Sequence, residues 1–183
     1  MPNVPEITTI KQSEIPLLRT IAEETFIDTF ADDNQPENIR AYVEKSFTLE
    51  QTTQEFNTTD SHFFFARIDP DIHSSIDHNI AGYLKLNYGE AQTEHDLQNS
   101  VEIERIYARP NHQGKGVGKA LMQHSITQAR HAGASWLWLG VWERNSHAIE
   151  FYKRQGFQPF GQHDFYMGSE LQHDLMMKLN IQA

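Results

Sequence analysis

Apolar residues in the first third of the chain recur with the spacing of helices. Between residues 17 and 30 they recur every three or four positions, which is typical of one face of an amphipathic helix. Ser13 is the expected N-cap of this helix. Pro36 opens a second helical pattern that runs to residue 47, and residues 49–56 predict a third, shorter helix.

Shorter runs of β-branched and aromatic residues predict about seven strands. They cover residues 7–10, 62–68, 80–87, 101–108 and 135–142, a run that starts at 157, and residues 175–179. The run 135–142 (SWLWLGVW) is almost entirely apolar, which is typical of a central strand that is buried on both faces.

Two further helices are expected between the later strands, one from residue 119 to Gly133 and one over residues 143–155. The polar stretches 70–79 and 88–100 are expected to be loops. This order of elements predicts a single α+β domain over residues 1–183, with a mixed central sheet of about seven strands flanked by helices.

A glycine-rich segment, QGKGVG, lies at residues 113–118, between a predicted strand and a predicted helix. Glycines let the backbone approach a phosphate closely, and the N–H groups and dipole of a following helix favour an anion. The spacing fits neither a P-loop nor a dinucleotide-binding fingerprint. We therefore expect a phosphate-bearing ligand of another kind here; a glycine-rich turn without a ligand is the alternative.

Composition narrows the classes of function. The chain has 183 residues, no cysteine and a formal net charge of −10. Without cysteine, a disulfide and protein thiolate chemistry are excluded. This excess of acidic over basic residues argues against a nucleic-acid partner and favours a small cationic substrate. There is neither an apolar run long enough to span a membrane nor a signal peptide, so we expect no membrane partner and a cytoplasmic location.

Two separated motifs resemble the GCN5-related N-acetyltransferase (GNAT) superfamily. The first is Q-x-x-G-x-G at residues 113–118, and the second is N-x-x-A-x-x-F-Y-x-x-x-G-F at residues 145–157. The phrases ETFIDTF, EIERIY, WLGVWERN and FYMGSELQHDL are similar to those of PaiA-type polyamine (spermidine/spermine) N-acetyltransferases. This resemblance implies a GNAT fold, acetyl-CoA as co-substrate, a primary amine such as a polyamine as acceptor, and a homodimer as the assembly that is common among relatives.

The resemblance also suggests catalytic roles. Tyr152 falls where the family places the general acid that protonates the leaving thiolate. Glu102 falls where some members place the base that takes the proton of the amine. Glu104 lies two positions further along the same predicted strand, so its side chain points to the same face and could share this task, directly or through water. Alternatively, both carboxylates pair with Arg105 or Lys85, or line the acceptor cleft.

The remaining family positions would hold the co-substrate. The strand end at residues 106–108 should pair with the pantetheine arm and offer an N–H to the oxyanion. Loop amides and cations should bind the pyrophosphate, with Arg109 as a further candidate, and Asn145 should bind the pantetheine arm or cap the following helix. The expected co-substrate residues are Ile106, Tyr107, Ala108, Gln113, Gly114, Lys115, Gly116, Val117, Gly118, Lys119 and Asn145.

The acceptor site is less well defined by the sequence. The acidic candidates are Asp28, Asp32, Asp33, Glu37 and Glu143. No metal site is expected, because the ten histidines include no H-E-x-x-H pattern. Two other functions remain open: a non-catalytic sensor that binds acyl-CoA, and an acetyltransferase for protein N-termini or drug amines.

Overall fold

The computed structural model describes residues 4–68 and 79–182, and its centre is a seven-stranded sheet. The strands are β1 (Glu6–Thr9), β2 (Ser61–Arg67), β3 (Ile80–Tyr88), β4 (Ser100–Ala108), β5 (Trp136–Trp142), β6 (Gln158–Met167) and β7 (Glu170–Asn180). They lie in the order β1-β2-β3-β4-β5-β7-β6. Neighbouring strands are antiparallel except β4 and β5, which are parallel. The expected mixed sheet is thus confirmed.

Among the described residues, five α-helices cover the sheet. They are α1 (Ile15–Phe30), α2 (Pro36–Ser46), α3 (Leu49–Phe56), α4 (Val117–His131) and α5 (Ser146–Arg154). The first three pack on one face and the last two on the other. Helix α4 connects β4 to β5, because two adjacent parallel strands need a crossover connection. In the described ranges, no helix has the length and apolar character needed to cross a bilayer.

Each face of the sheet has its own hydrophobic core. On the side of α1, Leu18 packs with Phe65 of β2, and both are at most 1% exposed. On the side of α4, Leu121 packs with Leu137 of β5, and both are fully buried. Burying a side chain of this size stabilises the fold by about 1.5–3 kcal/mol. The two cores therefore hold the helices against the sheet from both sides.

Strand β5 has the central, doubly buried position that its sequence predicts. Leu137, Trp138 and Leu139 are each at most 1% exposed. Because successive side chains alternate between faces, burial of all three requires a cover on both sides. On the face opposite α4, the indole N–H of Trp138 donates to Gln92 Oε1 at 2.8 Å, so the β3–β4 connection supplies part of that cover.

Several element boundaries differ from those predicted. Helix α1 begins at Ile15 after a short 3₁₀ turn, Gln12–Glu14, so Ser13 lies in this turn and is not the N-cap. Helix α5 begins only at Ser146, since Asn145 caps it. The strands β6 and β7 are longer than expected because they form the outer hairpin of the sheet, where polar residues are tolerated. The predicted loop 70–79 lies outside the described residues except for Asn79.

Candidate active site

The parallel strands β4 and β5 separate after a short paired stretch. Their last pair joins Ile103 to Leu139. Beyond it, β4 continues beside β3 and β5 continues beside β7. In the described part of the chain, the edge of residues 104–108 that faces β5 has no strand partner. An extended ligand can pair with such an edge as an added strand would. The expected pantetheine and oxyanion residues, 106–108, therefore lie along this opening.

A β-bulge accompanies the opening on the other side of β4. Lys85 of β3 pairs with Arg105, whereas the next residue, Leu86, pairs with Ile103. Glu104 is thus the extra residue of β4, with no residue directly opposite it. Because a bulge bends and twists its strand, it helps to turn β4 away from β5 at this point.

The glycine-rich loop follows β4 at the open end. Gly114 and Gly116 have φ angles of +70° and +85°, a left-handed conformation that costs other residues about 1–2 kcal/mol. Helix α4 begins at Val117, with Gly116 as N-cap and without a capping side chain. The first N–H groups of a helix, here those of Val117, Gly118 and Lys119, have no partner within the helix. They can therefore bind an anion, as the sequence predicts.

The side chains of the loop differ in their surroundings. Gln113, Lys115 and Lys119 are exposed, and the side-chain amide of Gln113 donates to Asp28 Oδ2 of α1 at 3.3 Å. The side chain of Val117, in contrast, is buried in the core on the α4 side. Val117 can thus contribute to ligand binding through its backbone only.

Tyr152 lies on α5 within the core on the α4 side. Its ring contacts those of Phe151 and Phe157, and burial raises the pKa of its hydroxyl above the ordinary value. The pKa of Tyr107 on β4 is raised mainly by burial. The nearby hydroxyls of Tyr83 and Tyr152 raise it further, in that order. The hydroxyl of Tyr152 is therefore close to the strand that borders the opening. It stays protonated there, as a proton donor must.

Asn145 joins the end of β5 to the start of α5. Its side-chain Oδ1 accepts from the N–H of Ala148 at 3.1 Å, and its own N–H donates to the carbonyl of Trp142 at 2.9 Å. The residue is thus the N-cap of α5, which is the structural alternative that its position in the sequence allowed. It lies beside the opening, since Trp142 ends β5.

Glu102 is enclosed by polar partners. It is only 3% exposed. Its carboxylate accepts from the hydroxyl and the N–H of Thr93, the latter at 2.8 Å, and from the amide of Asn87 at 3.2 Å. Burial raises the pKa of Glu102, and the hydrogen bonds from Thr93 oppose this rise. The contacts tie the β3–β4 connection to the sheet. Sequence reasoning missed Thr93, because it lies in a loop without a recognisable motif.

Glu104 belongs to a network of four charged side chains. Its carboxylate lies 2.6 Å from Lys85 Nζ and 3.4 Å from Arg105 Nη2. Glu55 of α3 pairs with the same two cations, at 3.1 Å and 2.9 Å. The amide of Asn87 bridges Glu104 to Glu102. The two glutamates thus point to one face, as predicted, and Glu104 also makes the ion pairs that were the alternative reading.

Arg109, a candidate phosphate ligand from the sequence, is engaged by a carboxylate of α1. Its guanidinium makes two hydrogen bonds to the carboxylate of Glu24 on α1, from Nε at 3.1 Å and from Nη2 at 2.8 Å. This fork geometry suits a carboxylate as well as it suits a phosphate. Sequence reasoning missed Glu24, because the pair joins residues 85 positions apart.

The five acidic acceptor candidates all lie on the surface of the protein. Asp28, Asp32, Asp33, Glu37 and Glu143 are all exposed. Asp28 accepts a hydrogen bond from Gln113 of the glycine-rich loop, so it lies beside that loop. In the ranges that the structure describes, no group of three or more His, Asp and Glu side chains is arranged to hold a metal ion.

The sequence is similar to those of several N-acetyltransferases. A relative from Lactobacillus delbrueckii subsp. lactis, an uncharacterized N-acetyltransferase in the pepI 3′ region, is 37% identical over 173 residues, which cover 94% of this chain and 95% of the relative. The spermine/spermidine N(1)-acetyltransferase of Bacillus subtilis is 32% identical over 88 residues, or 48% of this chain and 58% of that enzyme.

The fold has solved counterparts as well. The PaiA N-acetyltransferase from Thermoplasma acidophilum, solved in complex with coenzyme A, superposes with a TM-score of 0.71 at 21% identity, over 96% of this chain and 98% of that one. The family model for the acetyltransferase (GNAT) family matches residues 19–157. That match contains the strand opening, the glycine-rich loop and Tyr152. The chain therefore belongs to the GNAT family of acetyltransferases.

Proposed function

We propose that the protein transfers the acetyl group of acetyl-CoA to a primary amine of a small cationic acceptor, a polyamine such as spermidine or spermine. The observation that carries this proposal is the opening between β4 and β5, bordered at one end by the glycine-rich loop. Membership of the GNAT family supports acetyl transfer. The coenzyme A bound to the Thermoplasma neighbour supports acetyl-CoA as the donor.

The residues around the opening fit the parts of acetyl-CoA. The free edge of β4 at 106–108 matches the amides of the pantetheine arm, which need extended hydrogen-bonding partners. The N–H groups of residues 114–119 match the pyrophosphate, and the exposed Lys115 and Lys119 add positive charge there. Asn145, between the end of β5 and the start of α5, is a further proposed partner of the arm.

Tyr152 is the proposed general acid. Collapse of the tetrahedral intermediate breaks the C–S bond and leaves a thiolate, which needs a proton to become a stable leaving group. A tyrosine whose pKa is raised by burial holds its proton at neutral pH, and it can deliver that proton once a thiolate forms beside it.

The proton of the amine needs an acceptor, because an alkylamine with a pKa near ~10.4 is protonated at neutral pH and cannot attack a thioester in that form. Glu102 and Glu104 are the candidates from the sequence. The raised pKa of Glu102 suits a base. The partial exposure of Glu104 allows its carboxylate to exchange a proton with water. Either would act through water, since Glu102 is enclosed and Glu104 is paired.

A polyamine acceptor is supported by the net charge of −10 and by the partial similarity to a spermine/spermidine acetyltransferase. An acidic surface concentrates polycations near the protein and increases their rate of association.

The test is a thiol-release assay with acetyl-CoA and a panel of acceptors: spermidine, spermine, putrescine, an aminoglycoside and short peptides. We expect kcat/KM for spermidine or spermine to exceed that for the other acceptors by at least about tenfold. Turnover of peptides alone would contradict the polyamine assignment. Tight acetyl-CoA binding without turnover of any amine would contradict catalysis and favour a sensor.

A further inference from the structure

Glu102 differs from the other acidic residues of the described ranges, because only Glu102 is buried. The hydroxyl of Thr93 donates to its Oε1, and the N–H of Thr93 and the amide of Asn87 donate to its Oε2. In the described part of the chain no cation pairs with this carboxylate, whereas Glu104 pairs with two. A buried charge without a cation is costly, and such groups are found mainly at functional sites.

The carboxylate of Glu102 lies directly before the opening between β4 and β5. Glu102 pairs with Trp138, and the next pair, Ile103 with Leu139, is the last before the strands separate. One residue advances a strand by about 3.3 Å. Glu102 and Trp138 share a face of the sheet, and Trp142, four positions further along β5, contacts α1 on that face. The carboxylate is therefore on the α1 side, close to the start of the opening.

Thr93 lies above this carboxylate because the β3–β4 connection is fixed on both sides of it. Gln92 Oε1 accepts from the indole N–H of Trp138 at 2.8 Å. Glu94 Oε1 lies 3.2 Å from Nδ1 of His163 on β6. Thr93 itself is exposed to solvent, although the carboxylate that it contacts is buried. The hydroxyl is thus the solvent-side end of a contact whose other end is enclosed.

The hydroxyl of Thr93 has the free valence that a proton relay needs. A threonine hydroxyl has one proton and two lone pairs. Its proton is directed to Glu102 Oε1, and in the described ranges no group donates a hydrogen bond to its oxygen. The oxygen can therefore accept a proton on a lone pair while the hydroxyl proton moves to the carboxylate. Glu102 does not have to face the opening for this transfer.

We propose that the hydroxyl of Thr93 relays the proton of the acceptor amine to Glu102, which is the base of the acetyl transfer. This role rests on the proposed function, because it concerns the same opening and an amine acceptor. Glu104 is the weaker base of the two glutamates, since its two cations stabilise the charged form of its carboxylate. Thr93 acts through Glu102 and is a positioning residue.

The relay accounts for each proton of the reaction. One proton of the acceptor ammonium moves to the oxygen of Thr93, and the hydroxyl proton moves to Glu102 Oε1. The neutral amine attacks the thioester carbonyl, and a C–N bond forms. The C–S bond then breaks, the sulfur takes a proton from Tyr152, and the second amine proton restores Tyr152. Glu102 finally returns its proton through Thr93 to water, so one proton is released for each acetyl group transferred.

The surroundings of Glu102 determine how its pKa responds to the loss of this contact. Burial raises the pKa of Glu102, the hydrogen bonds from Thr93 lower it, and the charge of Glu104 raises it. The other charged side chains of the surrounding elements have partners of their own: Lys85 and Arg105 with Glu104, and Glu94 with His163. Removal of the hydroxyl of Thr93 therefore raises the pKa of Glu102.

Three variants separate the relay from a merely structural role. Thr93→Val removes the hydroxyl but keeps the shape of the side chain and the N–H that binds Glu102. Thr93→Ser keeps the hydroxyl. Ser100→Ala is the matched control, because the hydroxyl of Ser100 also holds the β3–β4 connection. It lies 2.9 Å from Gln92 Oε1 and 2.6 Å from the carbonyl oxygen of Leu97, and it does not bind Glu102.

The experiment measures kcat/KM against pH with acetyl-CoA and spermidine, together with acetyl-CoA affinity and far-ultraviolet circular dichroism. We expect Thr93→Val to lower kcat/KM about 100-fold, within the usual range for proton transfer. Its acid limb should move to higher pH, because the base has a higher pKa. Thr93→Ser and Ser100→Ala should keep the activity and the acid limb of the wild type. Acetyl-CoA affinity and the spectrum should be unchanged in all three.

A double variant tests whether the two residues share one route. Glu102→Gln should remove the acid limb, and adding Thr93→Val to it should lower kcat/KM no further, since effects on a single route are not additive. A further loss in the double variant would show that Thr93 acts independently of Glu102.

Other results would also overturn the relay. Wild-type kcat/KM in Thr93→Val, or an equal loss in Thr93→Ser, would remove the role of the hydroxyl. The same shift of the acid limb in Ser100→Ala would show that only the position of the connection matters. An acid limb that persists in Glu102→Gln and disappears in Glu104→Gln would assign the base to Glu104. Absence of amine turnover by the wild-type protein would overturn the proposed function itself, which distinguishes that failure from the others.

Discussion

Gly116 and Gly133 occupy the two ends of α4 in the same left-handed backbone conformation, with φ angles of +85° and +70°. An added Cβ atom would meet nothing within 4 Å at either position. The only penalty of an alanine is therefore the backbone conformation itself, about 1–2 kcal/mol. The two glycines differ in position, because Gly116 belongs to the proposed pyrophosphate loop and Gly133 ends the helix on the other side.

This difference gives the first prediction. Gly116→Ala should weaken acetyl-CoA binding by about 5- to 30-fold, the equivalent of 1–2 kcal/mol, because the loop must be forced back into the left-handed conformation to bind. Gly133→Ala should lower the free energy of unfolding by a similar amount and leave the affinity unchanged. Isothermal titration calorimetry and urea unfolding of both variants measure this, and equal affinities would contradict the role of the loop.

Tyr152→Phe should separate catalysis from folding. No group among the described residues hydrogen-bonds to this hydroxyl, and the ring contacts do not need it, so stability and acetyl-CoA affinity should stay close to wild type. Turnover should fall about 100-fold or more if the hydroxyl is the general acid. Tyr166→Phe, at a position that is 62% exposed, is the control and should be fully active. Wild-type turnover in Tyr152→Phe would refute the assignment.

The ion pair of Glu24 with Arg109 allows a test of where Arg109 acts. Glu24→Gln should reduce stability by less than about 1 kcal/mol, because the carboxylate is more than a third exposed. Acetyl-CoA affinity should not change, since we expect Arg109 to hold α1 and not a phosphate. The control is Glu23→Gln, which breaks the pair with Arg19 on the same helix. Tighter acetyl-CoA binding in Glu24→Gln alone would show that Glu24 competes with a phosphate for Arg109.

Lys85→Met should destabilise the fold strongly. The side chain of Lys85 is 6% exposed and pairs with Glu55 and Glu104, so its loss leaves these two partly buried carboxylates with Arg105 as the one cation of the network. Breaking a buried pair from one side typically costs about 3–5 kcal/mol. Lys153→Met is the surface control, since its pair with Glu150 is half-exposed and screened by solvent, and its loss should hardly change stability. Similar urea midpoints for the two variants would contradict the importance of the network.

The expected sheet, its helices and the glycine-rich loop follow from local patterns. The run at 135–142 predicts a doubly buried strand, because only a central strand can place consecutive apolar side chains on two covered faces. The periodic apolar positions of α1 and α4 predict their buried sides in the same way. Local patterns fail at Ser13 and at β6–β7, where a 3₁₀ turn and an exposed hairpin lack a strong apolar signal.

The pairing of His163 with Asp174 is encoded in the sequence but could not be recognised from it. Two His-Asp dipeptides, at 163–164 and 173–174, are placed symmetrically about the turn at Gly168, so an antiparallel hairpin sets each histidine opposite an aspartate. The register explains the pairing. It does not show what each pair contacts elsewhere in the fold, such as Glu94 beside His163.

The sequence by itself determined the elements, the family and the two motifs that flank the opening, because these depend on residues that are neighbours along the chain. Only the tertiary structure decided which charges meet. Glu24 pairs with Arg109, Glu55 pairs with Lys85, and Glu94 meets His163, in each case across elements that are far apart in sequence. Such contacts depend on the register of strands and the docking of helices, and therefore on the whole core at once.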